Sequence, residues 1–306
     1  MTVRAPAKVN LQLSVGPLRD DGYHDLVNVF HAVSLFDELT AVPADELAVT
    51  VETAPGSRVA VDGVPADDDN LAARAARLVA ARLGVEPAVA LRIRKAIPVA
   101  GGMAGGSADA AAALLACARL WDSPDDPRLS RDDLLELGAD LGSDVPFALL
   151  GGTAIGVGRG ERLTPALARG TFHWVFATAD GGLSTPAVYA ECDRLRAERG
   201  EEAPRPRVSE ELMSALATGD AKALGVVLSN DLQAAALVLR PSLRRTLTAG
   251  HEAGAIGALV SGSGPTCAFL AENAEHAAEL AAVLAGEGVA KSIVRAGGPV
   301  PGATVI

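Results

Sequence analysis

The sequence predicts a two-domain chain of mixed strands and helices, on three observations. The chain has 306 residues, enough for two cores of ordinary domain size. A strand, a glycine-rich loop and a long helix follow one another over residues 89–120, and the last fifth reads strand, glycine turn, strand, helix, strand. Gly151-Gly152-Thr153 stands between these regions, so the expected division is 1–152 and 153–306.

In chain order, residues 3–15 alternate as a strand carrying Pro6-Ala7-Lys8-Val9-Asn10-Leu11. Arg19-Asp20-Asp21-Gly22-Tyr23-His24 has turn chemistry, and an apolar stretch covers 27–39. Leu47, Val49 and Val51 alternate with Ala48, Thr50 and Glu52, as in a half-buried strand. Asp67-Asp68-Asp69-Asn70 caps a helix with Leu71, Ala75, Leu78 and Val79 on one face, and Gly84 stops it. Val89, Leu91 and Ile93 mark the next strand. Ser107 reads as the N-cap of a helix over 108–120, and Ser130 with Asp133 as a capping box opening a helix to about Leu141. Beyond the glycine pair come a strand over 173–179 and a loop over 182–189 that enters a helix, with Thr185 before a proline at the first turn. An exposed connector over 198–207 and two or three helices over 209–249 follow. Strands flank a glycine turn over 258–270, and a helix over 272–286 and a strand over 289–295 complete the pattern.

Composition excludes several classes. A net charge of −11 argues against a nucleic-acid partner, which needs a basic face. No apolar run reaches the length of a membrane span, and the first residues lack the apolar region of a signal peptide. Cys117, Cys192 and Cys267 are spaced for neither a disulfide framework nor a zinc site, so the expected compartment is the reducing cytoplasm. Of the 27 basic residues only Lys8, Lys95, Lys222 and Lys291 are lysine. In a chain that defaults to arginine, a lysine hints at a place where a compact point charge is wanted.

The loop Pro98-Val99-Ala100-Gly101-Gly102-Met103-Ala104-Gly105-Gly106-Ser107-Ala108-Asp109 offers little side chain, so its value lies in its backbone. Feeding a helix N-terminus, it presents unpaired N–H groups at the positive end of a dipole, which suits phosphate. It is not a Walker A loop, because no lysine precedes Ser107, and it lacks the G-x-G-x-x-G dinucleotide fingerprint. Farther on, Leu141-Gly142-Ser143-Asp144-Val145-Pro146-Phe147 places a carboxylate in a turn. Taken alone, Asp144 reads as an N-cap for the residues that follow.

Three separated motifs, 6–11, 98–109 and Ser261-Gly262-Ser263-Gly264-Pro265-Thr266, resemble in order and spacing the superfamily of galactokinase, homoserine kinase, mevalonate kinase and phosphomevalonate kinase. Residues 19–24, 141–146 and Ser184-Thr185-Pro186 narrow the resemblance to the branch whose acceptor alcohol carries cytidine diphosphate. The resemblance implies an α+β fold, with an N-terminal domain like domain 2 of ribosomal protein S5 and a ferredoxin-like C-terminal domain. It implies ATP-dependent phosphorylation of the 2-hydroxyl of cytidine diphosphate-linked methylerythritol, in the non-mevalonate route to isoprenoid precursors. ATP and Mg²⁺ are the implied cofactors, with no nucleic-acid or membrane partner, and the expected state is a monomer or weak homodimer.

Motif by motif, the resemblance makes Lys8 and Asp144 the catalytic pair and puts Asn70 and Lys95 near the nucleotide base and ribose. Pro98, Gly101, Gly102, Met103, Ala104, Gly105, Gly106, Ser107 and Ala108 fall on the ATP phosphates, with Ser107 the candidate Mg²⁺ ligand. Tyr23, His24 and Tyr189 fall in the cytosine pocket, where two aromatics sandwich the ring, and Asn10, Thr185 and Asp144 line the acceptor. Ala104 stands where many members have glycine, and Tyr189 where some have phenylalanine. The chemistry agrees: phosphoryl transfer depends on positioning and electrostatics, which the loop amides with Lys95 or Lys8 can supply. Asp144 can take the hydroxyl proton.

Overall fold

The computed structural model describes residues 1–99, 101–122 and 128–306; Ala100, inside the glycine loop, lies outside the described residues. Its spine is a hairpin of two long strands, β1 (Thr2–Leu18) and β2 (His24–Pro43). The apolar stretch 27–39 is thus the middle of β2. β1 is buried almost without interruption, because packing covers both of its faces. Register shifts between Pro6 and Ala7, Asn10 and Gln12, and Val15 and Leu18 let so long a pair bend.

β3 (Ala48–Thr53) runs parallel to β4 (Val89–Lys95), and β4 pairs with the second half of β2. Between them α1 (Leu71–Leu83) begins at Asn70 and ends at Gly84 with φ 68°, as the sequence predicts. The glycine loop leads from β4 into α2 (Gly105–Trp121). The helix starts earlier than expected, and Ser107 is not its N-cap. Ala104 takes that position with φ 61°, ψ 34° and no side-chain cap bond. α3 (Arg131–Leu141) opens with the predicted Ser130–Asp133 capping box, and the short α4 (Val145–Leu150) follows.

After Gly152 the chain stays in the first sheet: β5 (Thr153–Gly158) pairs with β2 and β6 (Arg162–Pro165) with β5. It crosses to a second sheet at β7 (Phe172–Thr178). α5 (Thr185–Arg199) leads to four helices where two or three were expected: α6 (Glu210–Thr218), α7 (Ala221–Val227), α8 (Gln233–Leu239) and α9 (Ser242–Glu252). The two-residue β8 (Ser229–Asn230) joins β1 between α7 and α8. β9 (Gly257–Val260), β10 (Cys267–Ala271), α10 (Ala274–Gly286) and β11 (Ser292–Gly298) complete an antiparallel sheet in the order β11-β7-β10-β9. With α5 to α9 as the first crossover, this is a β-α-β-β-α-β arrangement. The tail returns as β12 (Thr304–Val305), pairing Val3 with Val305 on β1.

The second sheet is buried on both faces, and period-two alternation explains how. Phe172, Trp174 and Phe176 of β7 join the core shared with β1 and β2, whereas Val175 and Ala177 join the core under α5, α9 and α10. The two sheets therefore meet over a continuous apolar surface, and a cleft opens at one end of it.

Candidate active site

The glycine loop forms one wall of the cleft. Ala108 N donates to Ala104 O at 2.9 Å, so the amides of Gly105, Gly106 and Ser107 precede the first intrahelical bond and stand at the positive end of α2. All three residues line a cavity of about 820 Å³. Met103 and Ala108, expected at the phosphates, are fully buried in the core and do not line this cavity. The Met103 carbonyl accepts from Lys8 N at 3.3 Å, tying the loop to β1.

A second tie comes from the turn between β9 and β10. Ser261 Oγ donates to Gly102 O at 3.2 Å. Gly102 has φ 73°, and a Cβ there would sit 2.3 Å from the Ser261 carbonyl, so only glycine fits between the loops. Asn230 fixes this turn by donating to the carbonyls of Val260 and Gly262, each at 2.7 Å. A Cβ on Gly101 would lie 2.9 Å from Thr266 Oγ1, so the Thr266 side chain packs close behind the loop.

Lys8 and Asp144 meet inside the cleft. Lys8, on β1, is buried and donates to Asn10 Oδ1 at 2.7 Å, and Asn10 in turn donates to Asn28 Oδ1 at 2.9 Å. The Lys8 ammonium lies 3.8 Å from the Asp144 carboxylate, whose side chain is 33% exposed. Asp144 occupies the N-cap position of α4 yet makes no capping hydrogen bond, because its own backbone is helical, with φ −87° and ψ −12°. The simple N-cap reading is therefore corrected: the carboxylate is turned to the cleft, which it lines.

Lys95 is not free to neutralise phosphate. It is 2% exposed and its ammonium is shared by Asp37 and, at 2.5 Å, Asp109. Burial alone would depress it, but the charges of Asp109 and Asp37 hold it above its ordinary value. Burial pushes the Asp109 carboxyl upward against the pull of Lys95. Asp37 also accepts from the amides of Ala96 and Ile97, at 2.6 and 2.8 Å. One buried ionic cluster thus fastens β2 to both ends of the glycine loop. Asn70 is likewise committed, accepting from Ala72 N at 2.8 Å and donating to Pro65 O at 2.6 Å. Lys95, Asn70, Pro98, Gly105 and Gly106 still line a smaller cavity of about 230 Å³ beside the loop.

The opposite wall carries the aromatics. Thr185 opens α5 and its hydroxyl meets Ser263 Oγ at 2.9 Å. Tyr189, one turn on, stacks on His24 with centroids 5.1 Å apart and planes at 29°. Burial, then the charge of Asp144, pushes the Tyr189 hydroxyl above its ordinary value. Tyr23 is 53% exposed at the rim, under the Arg159 guanidinium at 5.1 Å. Tyr23, His24 and Tyr189 line the same cavity as Lys8 and Asp144.

Sequence reasoning missed Asp37, Asp109, Asn28, Arg159 and Asp193. Asp109 had a signal, since it is a lone charge beside an alanine run, whereas Asp37, next to Glu38, had none. Asp193 had one too: with Thr185 and Tyr189 it recurs every four residues on one face of α5. Among the described residues no group of three or more His, Cys, Asp or Glu side chains could hold a metal ion.

Residues 70–152 match the GHMP kinases N terminal domain, and residues 212–290 match GHMP kinases C terminal. Over 100% of its length, and 98% of the relative's, the chain is 59% identical to a 4-diphosphocytidyl-2-C-methyl-D-erythritol kinase from Thermobifida fusca. A crystal structure of 4-(cytidine 5'-diphospho)-2C-methyl-D-erythritol kinase superposes with a TM-score of 0.77 at 34% identity, covering 97% of this chain and 98% of that one. A homoserine kinase from Cytophaga hutchinsonii, 19% identical, superposes with a TM-score of 0.71 over 100% of this chain and 97% of its own, a likeness of fold.

Proposed function

This chain belongs to the family of 4-diphosphocytidyl-2-C-methyl-D-erythritol kinases, ATP-dependent GHMP kinases of isoprenoid precursor synthesis, and from that premise we propose how its residues divide the work. The amides of Gly105, Gly106 and Ser107 receive the ATP phosphates, where the α2 dipole and the fixed N–H groups stabilise anionic oxygens without reorganising. The cavity lined by Asn70, Lys95 and Pro98 takes the nucleoside, with Lys95 acting mainly to hold the loop. Tyr189, His24 and Tyr23 take the cytosine, and Asn10 and Thr185 line the methylerythritol.

Phosphoryl transfer runs through a loose transition state, so placement of the hydroxyl and neutralisation of charge carry the rate. The acceptor 2-hydroxyl lies against Asp144, which accepts its proton as the oxygen forms its bond to the γ-phosphorus and the bond to the ADP oxygen breaks. Lys8, held by Asn10, orients the carboxylate and faces the transferring group with its remaining donors. The residues fit a Mg²⁺ that keeps most of its shell in phosphate and water, since Ser107, whose hydroxyl is a hard oxygen donor, lines the cleft at the start of α2. Mg²⁺ there would neutralise phosphate charge.

The observation that carries this reading is the uncapped Asp144 carboxylate, 3.8 Å from Lys8, in one cleft with a helix N-terminus and a stacked aromatic wall. The division of labour is an ATP-binding unit over 1–152 and a unit over 153–306 that contributes Thr185 and Tyr189 to the acceptor site, with 153–165, 229–230 and 304–305 lending strands to the first sheet. Among the described residues no helix is long and apolar enough to cross a membrane, and the proposed setting is the cytoplasm, as a monomer or weak homodimer. A coupled ADP-release assay tests the assignment with the cytidylated acceptor and with methylerythritol phosphate. The expected result is turnover of the first and poor turnover of the second, which lacks the ring that positions the hydroxyl. Equal turnover would refute the cytosine assignment.

A further inference from the structure

The stacked pair His24 and Tyr189 has a third member that the mechanism has not used. His24 Nε2 lies 3.0 Å from each carboxylate oxygen of Asp193. His24 is 7% exposed and opens β2, whereas Asp193 sits on α5 one turn beyond Tyr189, its side chain 39% exposed. The helix spacing therefore delivers the Tyr189 ring and the Asp193 carboxylate to one imidazole, the ring stacked on its face and the carboxylate on its edge. A carboxylate accepts and cannot donate, so Nε2 must carry the hydrogen. In the neutral imidazole this leaves Nδ1 as a bare acceptor, and among the described residues it has no hydrogen-bond partner.

The geometry points to Asp193 as a positioning residue that sets base specificity by fixing His24 in its Nε2–H tautomer. Resting on the cytosine assignment above, this inference gives the pocket an acceptor on a ring that lines the cleft. An acceptor there pairs with an exocyclic amino group and opposes a carbonyl in the same place, so the pocket selects a cytidine over a uridine diphosphate. The pairing also locks the ring plane, so that Tyr189 stacks on a fixed surface. Asp193 touches neither the acceptor hydroxyl nor the phosphates and works only through His24.

The test compares inhibition of the wild type, Asp193→Ala and Asp193→Asn by cytidine diphosphate and by uridine diphosphate, competing against the cytidylated acceptor. The wild type should favour cytidine diphosphate. Asp193→Ala should lose about tenfold of that preference, the worth of one directed hydrogen bond, and raise the acceptor KM. Its kcat at saturation, ATP KM and melting temperature should stay near wild type. Asp193→Asn retains an oxygen that can accept from Nε2 and should keep more of the preference than alanine. A wild type without base preference would refute the cytosine assignment itself. A wild type with that preference, and an Asp193→Ala that keeps it undiminished, would overturn only the role of Asp193. Equal losses in ATP and acceptor affinity, or a clear fall in melting temperature, would also overturn it, by making the pair structural.

Discussion

Replacing Asp144 with asparagine keeps the size of the side chain while removing its charge and its capacity to take a proton. A capping carboxylate contributes about 0.5–2 kcal/mol to stability, but this one makes no capping bond. Its recorded charge contact is Lys8 at 3.8 Å, with the Asp144 side chain one third exposed at 33%, so screening limits that pair to about 1 kcal/mol or less. Lys8 keeps its bond to Asn10 in the variant and should not be displaced. The expected shift in Tm is therefore no more than about 2–4 °C. Turnover should respond quite differently. A positioned acid or base is worth about 10²–10⁴ in rate, and kcat should fall by that factor while KM for ATP barely moves. Coupled ADP release under saturating acceptor measures the first quantity, and thermal unfolding of the same preparation measures the second. A variant within a few fold of wild-type kcat that has lost 1–2 kcal/mol of stability, on the order of a lost cap, would refute the reasoning and return Asp144 to a structural role.

Gly105→Val adds a branched side chain whose Cβ would lie 3.2 Å from Ile97 Cγ2 and 3.3 Å from Lys95 Nζ, so it presses on the cluster that holds the loop. ATP affinity should fall more than acceptor affinity when each ligand is titrated separately, and a loss confined to the acceptor would contradict the loop's placement. Tyr189→Ala removes the ring stacked on His24 and should weaken acceptor binding by about 1–3 kcal/mol with ATP binding unchanged, as calorimetry would show. His31 is fully buried where the two sheets meet, against Phe172 and Trp174, and burial lowers it from 6.5 to about 4. Because the folded value lies below the unfolded one, its contribution is complete above pH 6.5 and is lost as pH falls toward 4. That window is worth on the order of 3 kcal/mol. Urea midpoints of the wild type should fall more steeply with acid than those of His31→Gln, and parallel curves would contradict it.

Local chemistry made much of this molecule legible. Asn70 and Gly84 bound α1 as read, because a cap needs only its neighbours' amides and a left-handed residue. The Ser130–Asp133 box is equally local. Alternation located β1, β3 and β4, and apolar runs beside turn residues located β7, β9 and β10. The glycine loop could be picked out by its composition and Lys8 by the rarity of lysine, whereas Asp144 taken alone read as a cap and only the family resemblance singled it out.

Tertiary packing decided the rest. Ser107 has the chemistry of a cap, yet α2 begins two residues before it because Gly105 fits where a Cβ would crowd Ile97 and Lys95, with Ala104 left-handed in front. The apolar stretch 27–39 has no element assigned from the sequence, and its pairing with β1 makes it the middle of β2. Lys95 reads as a phosphate ligand until Asp37, 58 residues away in the chain, occupies its ammonium. The sequence by itself determined which residues could bear charge, cap or turn, because those properties belong to a residue and its near neighbours. Which of them face the cleft was decided by contacts such as His24 with Asp193, 169 residues apart, since only the closed chain sets which polar groups find partners and which stay open to a ligand.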